Sequence, residues 1–184
     1  CSVGTGSVSL NGKIVGQDAY PGSLTIQAAD DVTFSQAVNL SGSDPDSDGG
    51  DIVVRSEFGS VTINGKLDLT SGGEGTGGTL TVMAGEDFKV YAEIDARGGD
   101  FDGGSLDITA GDDVVIDADI KVNSRAGEGD GGDVDILADG DILIGADDST
   151  AVLIDDDGMG ATDGGGSGAD LTFEAGGDIV VGKN

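Results

Sequence analysis

The sequence predicts an all-β fold, a right-handed parallel β-helix of about six coils, each about 27 residues long and built from three short strands. Three observations support this prediction. Pairs of aliphatic residues separated by one residue recur three times in each repeat, and small or turn-forming residues separate the pairs. No segment shows the 3.6-residue period of a helix, and glycine, with 36 of the 184 residues, disfavours helix over most of the chain. The handedness follows from the general rule for parallel crossover connections.

One repeat shows the pattern in full. The segment 104–122 contains three such pairs: Leu106 and Ile108, Val114 and Ile116, and Ile120 and Val122. Because successive side chains of a strand point to opposite faces, the two members of a pair share one face, and polar residues between them, such as Asp107, face water. A three-residue strand is not stable alone. We therefore expect equivalent strands of successive coils to pair in parallel around one aliphatic column.

The three strands recur along almost the whole chain. The first strand is predicted at Leu24/Ile26, Ile52/Val54, Leu80/Val82, Leu106/Ile108, Val134/Ile136 and Leu171/Phe173. The second is predicted at Val8/Leu10, Val32/Phe34, Val61/Ile63, Phe88/Val90, Val114/Ile116, Ile142/Ile144 and Ile179/Val181. The third is predicted at Ile14, Val38/Leu40, Leu67/Leu69, Ile94/Ala96, Ile120/Val122 and Val152/Ile154. Second strands start 24, 29, 27, 26, 28 and 37 residues apart, so the coil length is nearly constant until the last repeat.

The residues between the strands predict tight corners. An alanine lies two residues past the first strand in five coils, and Ser56 takes that place in another. Glycine and aspartate at the neighbouring corners are expected to adopt positive φ angles, which β-branched residues resist. The phenylalanines expected to point inward are Phe34, Phe88 and Phe173, and the aromatic residues left outside are Phe58, Phe101, Tyr20 and Tyr91.

The chain length and the repeat predict one β-solenoid domain over residues 1–184. Residues 1–21 and 169–184 are expected to form partial coils at its ends. Solenoids normally cover their end coils with polar or helical caps, and no cap is recognisable in the sequence. Uncovered end coils favour strand addition, so we expect head-to-tail self-association into a filament, with a segment of a longer protein as the other interpretation.

The charge excludes some partners and favours others. Against 36 acidic residues there are eight basic ones, which gives a net charge of −28. Such a surface repels nucleic acid and anionic lipid and attracts divalent cations or basic partners. No stretch approaches the roughly 20 apolar residues of a transmembrane helix. Cys1, the single cysteine, is free, modified by a lipid anchor, or bonded to another subunit through a disulfide.

Glycine- and aspartate-rich loops separate the third strand of one coil from the first strand of the next. They are expected to stack at one corner of the solenoid. The candidate calcium ligands in these loops are Asp44, Asp46, Asp48, Asp51, Asp155, Asp156 and Asp157. Alternate carboxylates followed by glycine resemble the start of a calcium loop, but Arg55 replaces the bidentate glutamate that would complete an EF-hand. The alternative interpretation is a charged, soluble face built from good turn formers.

The repeat resembles a known class of proteins. Its form, GG-x-[ILV]-x-[ILV]-x-A-x-x-D-[ILV]-x-[ILV], resembles the repeats of filamentous haemagglutinin-like adhesins and related bacterial β-solenoid exoproteins, from Gly6 to Val181. The resemblance implies secretion, an extended shape, a cell-surface or extracellular location, and a role in adhesion or in building a matrix such as a biofilm.

These observations lead to ranked expectations for function. The first is a structural subunit of an extracellular filament or matrix, and the second is a segment of a large secreted calcium-binding adhesin. The third is a polysaccharide-active β-helix enzyme. Such an enzyme needs basic groups, or a carboxylate pair beside sugar-stacking aromatic residues. Because the chain has no His and no Trp, we expect no catalytic residues and no cofactor other than calcium.

Overall fold

The computed structural model describes residues 6–125, 129–145, 152–155, 167–168 and 170–182. These residues form an all-β parallel solenoid with three parallel sheets and no helix, which confirms the predicted fold class. The solenoid has about five turns of about 28 residues, slightly fewer than the six expected. No described segment is a helix long and apolar enough to cross a membrane.

Each coil contributes one strand to each sheet. Sheet 1 contains β1 (Val8–Leu10), β4 (Val32–Phe34), β7 (Val61–Ile63), β10 (Phe88–Val90), β13 (Val114–Ile116), β16 (Ile142–Ile144) and β19 (Ile179–Val181). Sheet 2 contains β2 (Ile14–Val15), β5 (Val38–Asn39), β8 (Leu67–Asp68), β11 (Ile94–Asp95), β14 (Ile120–Lys121) and β17 (Ile154–Asp155). Sheet 3 contains β3 (Ser23–Ala28), β6 (Asp51–Ser56), β9 (Thr79–Ala84), β12 (Ser105–Ala110), β15 (Val134–Ala138) and β18 (Leu171–Ala175).

The core is the predicted aliphatic column. Inward residues of successive coils lie directly above one another, as in the sheet 1 stack Val61, Phe88, Val114 and Ile142, all of them fully buried. The outward residues between them are at least partly exposed. Apolar side chains therefore stack on apolar side chains of the next coil, and the burial of their surface stabilises the stacking.

The aromatic side chains follow the predicted division. Phe34 and Phe88 are fully buried and Phe173 is half-buried. The exposed aromatic residues are Tyr20, Phe58, Tyr91 and Phe101.

The third strand of the last coil was misaligned by two residues in the sequence prediction. The sequence pattern places Val152 above Ile120, whereas β17 pairs Ile154 with Ile120 and Asp155 with Lys121. The turn before β17 is longer than in other coils, so the first aliphatic residue after it is still part of the connection. Asp155 therefore lies on the outer face of sheet 2.

The expected positive φ at the corners is found at Gly145, after β16, but the expectation is wrong for aspartate and for the other corner glycines that the structure describes. Among the described residues positive φ is confined to Gly6 and Gly145, and no other residue type has it. Glycine is required instead by close backbone approach between coils. A Cβ on Gly104 would lie 2.1 Å from the carbonyl oxygen of Gly78 in the preceding coil. Such positions exclude every larger residue without any demand on φ.

Candidate functional site

The most distinctive region of the surface is the corner between sheets 2 and 3, where paired glycines close each loop. The amide of Gly78 donates to the carbonyl of Leu69 at 2.8 Å, and the amide of Gly104 donates to the carbonyl of Ala96 at 2.7 Å. The same bond joins Gly50 to Leu40 and Gly132 to Val122. We call this bond the Gly–Gly clasp, because the second glycine of the pair ties the start of sheet 3 to the end of sheet 2 in the same coil.

The clasped loops stack on one another, as the sequence predicts. The amide of Gly72 donates to the carbonyl of Ser47 at 2.7 Å, and that of Gly99 donates to Gly75 at 2.8 Å. One coil higher, the amide of Gly103 donates to the carbonyl of Asp130 at 2.9 Å. The loops therefore form a fourth, irregular column along the solenoid.

Aspartate side chains hold successive coils together. At the residue before each sheet 1 strand, the side chain accepts a hydrogen bond from the backbone amide at the same position of the next coil. The side-chain acceptors, each followed by its backbone donor, are Asp31 with Ser60 (3.0 Å), the Ser60 hydroxyl with Asp87 (3.3 Å), Asp87 with Asp113 (3.2 Å), Asp113 with Asp141 (2.8 Å) and Asp141 with Asp178 (2.7 Å). These amides are not used by the strand pairing, so the carboxylates satisfy donors that would otherwise face the preceding coil unpaired.

Two further columns of this kind flank the glycine pairs. Asp102 accepts from the amide of Asp130 at 2.9 Å, and Asp130 accepts from Ser167 at 2.6 Å. On the other side of the glycines, Asp133 accepts from the amide of Asp170 at 3.4 Å. The glycines between these columns form the floor of a surface groove of about 540 Å³, whose acidic walls are Asp102, Asp130, Asp133 and Asp170. The groove runs along the solenoid axis.

The predicted calcium residues of the first large loop lie on its surface but do not converge. Asp44, Asp46 and Asp48 are exposed, and no three of their carboxylate oxygens with Asp51 lie within 4.8 Å of one another in this described loop. One oxygen of Asp48 accepts from the amide of Thr76 at 2.9 Å, and one of Asp51 accepts from Thr79 at 3.2 Å. These two carboxylates therefore hold the next coil, which the sequence analysis missed. Calcium binding by this loop stays a prediction.

The remaining predicted site residues are mostly outside the described ranges. Asp156, Asp157 and Cys1 lie outside them. Asp155 is described and is half-buried on sheet 2, beside Lys121 of the preceding coil.

A different acidic group comes closest to a cation site in the described part of the chain. Carboxylate oxygens of Asp87, Asp112 and Asp113 lie within 4.8 Å of one another. The Asp87 carboxylate is already paired with the Lys89 ammonium at 2.7 Å and accepts the amide of Asp113. The hydrogen bond between Lys89 and Asp87 raises the pKa of Lys89. A metal ion would compete with the Lys89 ammonium for the Asp87 carboxylate, and the contacts that are present join neighbouring coils.

The outer face of sheet 2 carries an ion-pair network. Arg97 donates to both oxygens of Asp95 at 2.7 Å, and Lys66 lies 2.6 Å from Glu93 and 3.2 Å from Asp95. Lys121 donates to the second oxygen of Glu93. The network spans three successive coils, so it joins them along the solenoid axis, as the aspartate columns do.

The network shifts the ionisation of its acids. Hydrogen bonds from Lys121 and Lys66 hold the pKa of Glu93 below its usual value. Burial alone would raise the pKa of Asp95, which is 2% exposed, but the hydrogen bonds and charge of Arg97, with help from Lys66, bring it below its usual value. Both acids are therefore held as carboxylates.

Comparison of the chain with family models, with curated proteins and with solved structures finds no match. Any functional assignment therefore rests on the geometry of the chain alone.

Proposed function

We propose that the protein is a structural subunit of an extracellular filament or matrix, in which solenoids stack end to end. The observation that supports this proposal is the apolar surface of the last described coil. Ile179 and Val181 are 49% and 68% exposed, whereas Ile142 and Ile144, at the same positions one coil earlier, are 0% and 7% exposed. A further coil would bury the residues of β19 and supply partners for its backbone.

The first coil offers a surface of matching chemistry. Val8 and Leu10 of β1 are only partly buried, and they occupy the same positions of sheet 1 as Ile179 and Val181. A second copy that places β1 on β19 would continue sheet 1 in register. The carboxylate of Asp178 would then accept the amide of Ser7, as each aspartate of this column does for the next coil. Such a contact is heterologous and propagates.

Two adjacent residues of β19 give a sharp test. Val181 points along the core column and Val180 points outward, although both are exposed, at 68% and 42%. Val181→Asp should abolish filaments in electron micrographs, because it places a charge in the stacking surface, and Val180→Asp should leave them intact. Single particles of the unsubstituted protein at high concentration would refute the proposal. So would equal sensitivity to the two substitutions.

A segment of a large secreted adhesin, of the filamentous haemagglutinin-like type, is the second candidate. It is favoured by the geometry of head-to-tail stacking, since in the described residues sheet 1 has seven strands and sheets 2 and 3 have six each. A coil that continues the chain path beyond β19 would begin with a sheet 2 strand, whereas a second copy begins with the sheet 1 strand β1. Head-to-tail stacking through β1 would leave one level of sheets 2 and 3 without a strand. Particles that stay single with and without calcium would favour this candidate.

Calcium is proposed as the ligand of the acidic loops in either case. Calorimetric titration should show binding that is lost in the triple substitution of Asp44, Asp46 and Asp48 by asparagine. The triple substitution Asp107→Asn, Asp135→Asn and Glu174→Gln, on the face of sheet 3, removes the same number of charges and is the matched control. Equal binding by both variants would reduce the loops to a solvated face. Filaments that dissociate with a chelator would place the ion between stacked loops.

We propose no catalytic role for the chain. Release of reducing ends or unsaturated sugars from an acidic polysaccharide would contradict this and favour the enzyme alternative.

For Cys1, loss of covalent dimers on reduction would support an intersubunit disulfide, and detergent partitioning would support a lipid anchor.

A further inference from the structure

The three outer faces of the solenoid differ sharply in charge. Sheet 1 and sheet 3 each present one basic residue, Lys89 and Arg55 respectively, against six acidic residues. Sheet 2 presents four of the eight basic residues of the chain, which are Lys13, Lys66, Arg97 and Lys121. They stand against five acids, which are Asp68, Glu93, Asp95, Asp119 and Asp155. In a protein of net charge −28, sheet 2 is therefore the described face on which two copies meet with almost no net repulsion.

We propose that the face of sheet 2 is a lateral contact between two copies of the chain, packed with their solenoid axes antiparallel. This goes beyond end-to-end stacking and does not depend on it, because the two contacts use different residues. The two-fold axis runs along the strands between β8 and β11, the middle of the six-stranded sheet. A two-fold contact requires a self-complementary surface, and the charge pattern of this sheet meets that requirement.

The ends of the sheet complement each other in this arrangement. It places β2 of one copy over β17 of the other. Because an axis along the strands keeps each residue's position on its strand, Lys13 lies opposite Leu153 and Val15 lies opposite Asp155. Val15 and Leu153, which are 59% and 52% exposed, are therefore diagonal neighbours across the contact. Lys13 is exposed and makes no ion pair with any described residue. Its long side chain would reach diagonally past Leu153 to the carboxylate of Asp155 on the partner strand. Each contact occurs twice by symmetry.

The middle of the sheet is complementary as well. There β8 of one copy lies over β11 of the other, so Lys66 faces Glu93. Asp68 faces Asp95, but Asp95 is 2% exposed and covered by the guanidinium of Arg97. Asp68 therefore meets the cation and not the buried carboxylate.

The size of the face predicts a weak contact. Six strands about 4.8 Å apart, each about five residues wide, give about 500 Å² per partner and about 1,000 Å² in total. This is near the lower limit for a specific interface, so a single solenoid should dimerise in the micromolar to millimolar range. Stacked solenoids would repeat the contact along the axis and bundle far more strongly.

A charge swap tests both the surface and the orientation. Lys13 and Asp155 lie on the first and last strands of sheet 2, about 24 Å apart within one chain, so they cannot compensate for each other internally. Sedimentation velocity is run at about 0.15 M salt in the Val181→Asp background, which removes end-to-end stacking. Lys13→Asp and Asp155→Lys should each weaken the dimer about tenfold, and the double variant should restore it to within a few fold.

Matched substitutions test the apolar part of the contact. Val15→Asp should abolish the dimer, whereas Val53→Asp, which places the same charge at a 40% exposed site on sheet 3, should leave it unchanged. The inference is overturned if the protein stays monomeric at millimolar concentration. It is also overturned if the double charge swap is no better than either single variant, or if Val15→Asp and Val53→Asp act alike. None of these results bears on end-to-end filaments, which are scored separately by microscopy.

Discussion

The aspartate column beside sheet 1 predicts a measurable difference between two substitutions of Asp113. Its carboxylate accepts the amide of Asp141 at 2.8 Å, in a partly buried position. Asp113→Asn keeps an oxygen that can accept this bond, whereas Asp113→Ala leaves the amide of Asp141 without its partner. Both variants remove the same charge. Their difference therefore measures the inter-coil hydrogen bond and not the charge.

The size of the difference follows from the contacts. A hydrogen bond to an uncharged side-chain acceptor contributes about 1 kcal/mol, and a buried donor left unpaired costs about 1–3 kcal/mol. Since this site is only partly buried, the asparagine variant should be more stable than the alanine variant by about 1–2 kcal/mol. Removing the charge relieves repulsion from Asp87 and Asp112, which lie within 4.8 Å of the Asp113 carboxylate, and gives up an attraction to Lys89. Both effects are the same in the two variants and cancel in their difference.

The free energy of unfolding from urea titration measures this difference. Asp135 provides the control, because it is exposed, has a like-charged neighbour in Asp107, and accepts no hydrogen bond from any described residue. Asp135→Asn and Asp135→Ala should differ by less than about 0.5 kcal/mol. If the two Asp113 variants differ by no more than the two Asp135 variants, the carboxylates do not hold the coils together and the reasoning fails.

Two other features predict stability changes. Gly104→Ala should destabilise the protein by about 3 kcal/mol or more in the same assay, since the added Cβ would lie 2.1 Å from the carbonyl oxygen of Gly78. Gly73→Ala, whose Cβ would lie 3.7 Å from its nearest neighbour, should be tolerated, and equal effects would contradict the close-approach argument. Asp95→Asn should lower the free energy of unfolding by about 2 kcal/mol at neutral pH, since it removes the charge that pairs with Lys66 and Arg97. The loss is limited because both cations are partly exposed and can still reach water. The pKa of Asp95 is lowered on folding, so the unfolded state binds more protons in acid and the stabilisation present above about pH 4 is lost as the pH falls. The gap between wild type and Asp95→Asn should therefore narrow below about pH 4, and a gap that widens in acid would contradict the lowered pKa.

The strands could be predicted from sequence because each one leaves a local signal. Alternation in a segment such as Leu106-Asp107-Ile108 reports which face is buried, and the repeat then fixes the register. The prediction failed where the repeat length changed, at β17, since one longer turn shifted the alignment by two residues. A periodic pattern carries no information about where an insertion ends.

The roles of aspartate and glycine could not be predicted from local preference. Asp87 and Asp113 precede their strands at a fixed position, and that position was visible in the repeat as D-[ILV]-x-[ILV]. It was interpreted as a turn former because the donor it satisfies lies 26 residues away. The available signal was the constant spacing between this aspartate and the strand that follows it. An ordinary turn would tolerate several residue types at that position. The glycine pairs are visible in the repeat, but their role could not be predicted for the same reason, since close approach between coils is not a local property.

The Gly–Gly clasp separates the length of each loop from the geometry of the coil. The clasps enclose nine, eight, seven and nine residues after Leu40, Leu69, Ala96 and Val122, yet the strands on either side keep their register. Each loop is closed by its own bond, so additional residues need not disturb the stacking beneath them. Loop closure entropy grows only slowly with length. This corner should therefore accept inserted peptides, and foreign epitopes placed in successive loops would be displayed at a regular interval along the solenoid.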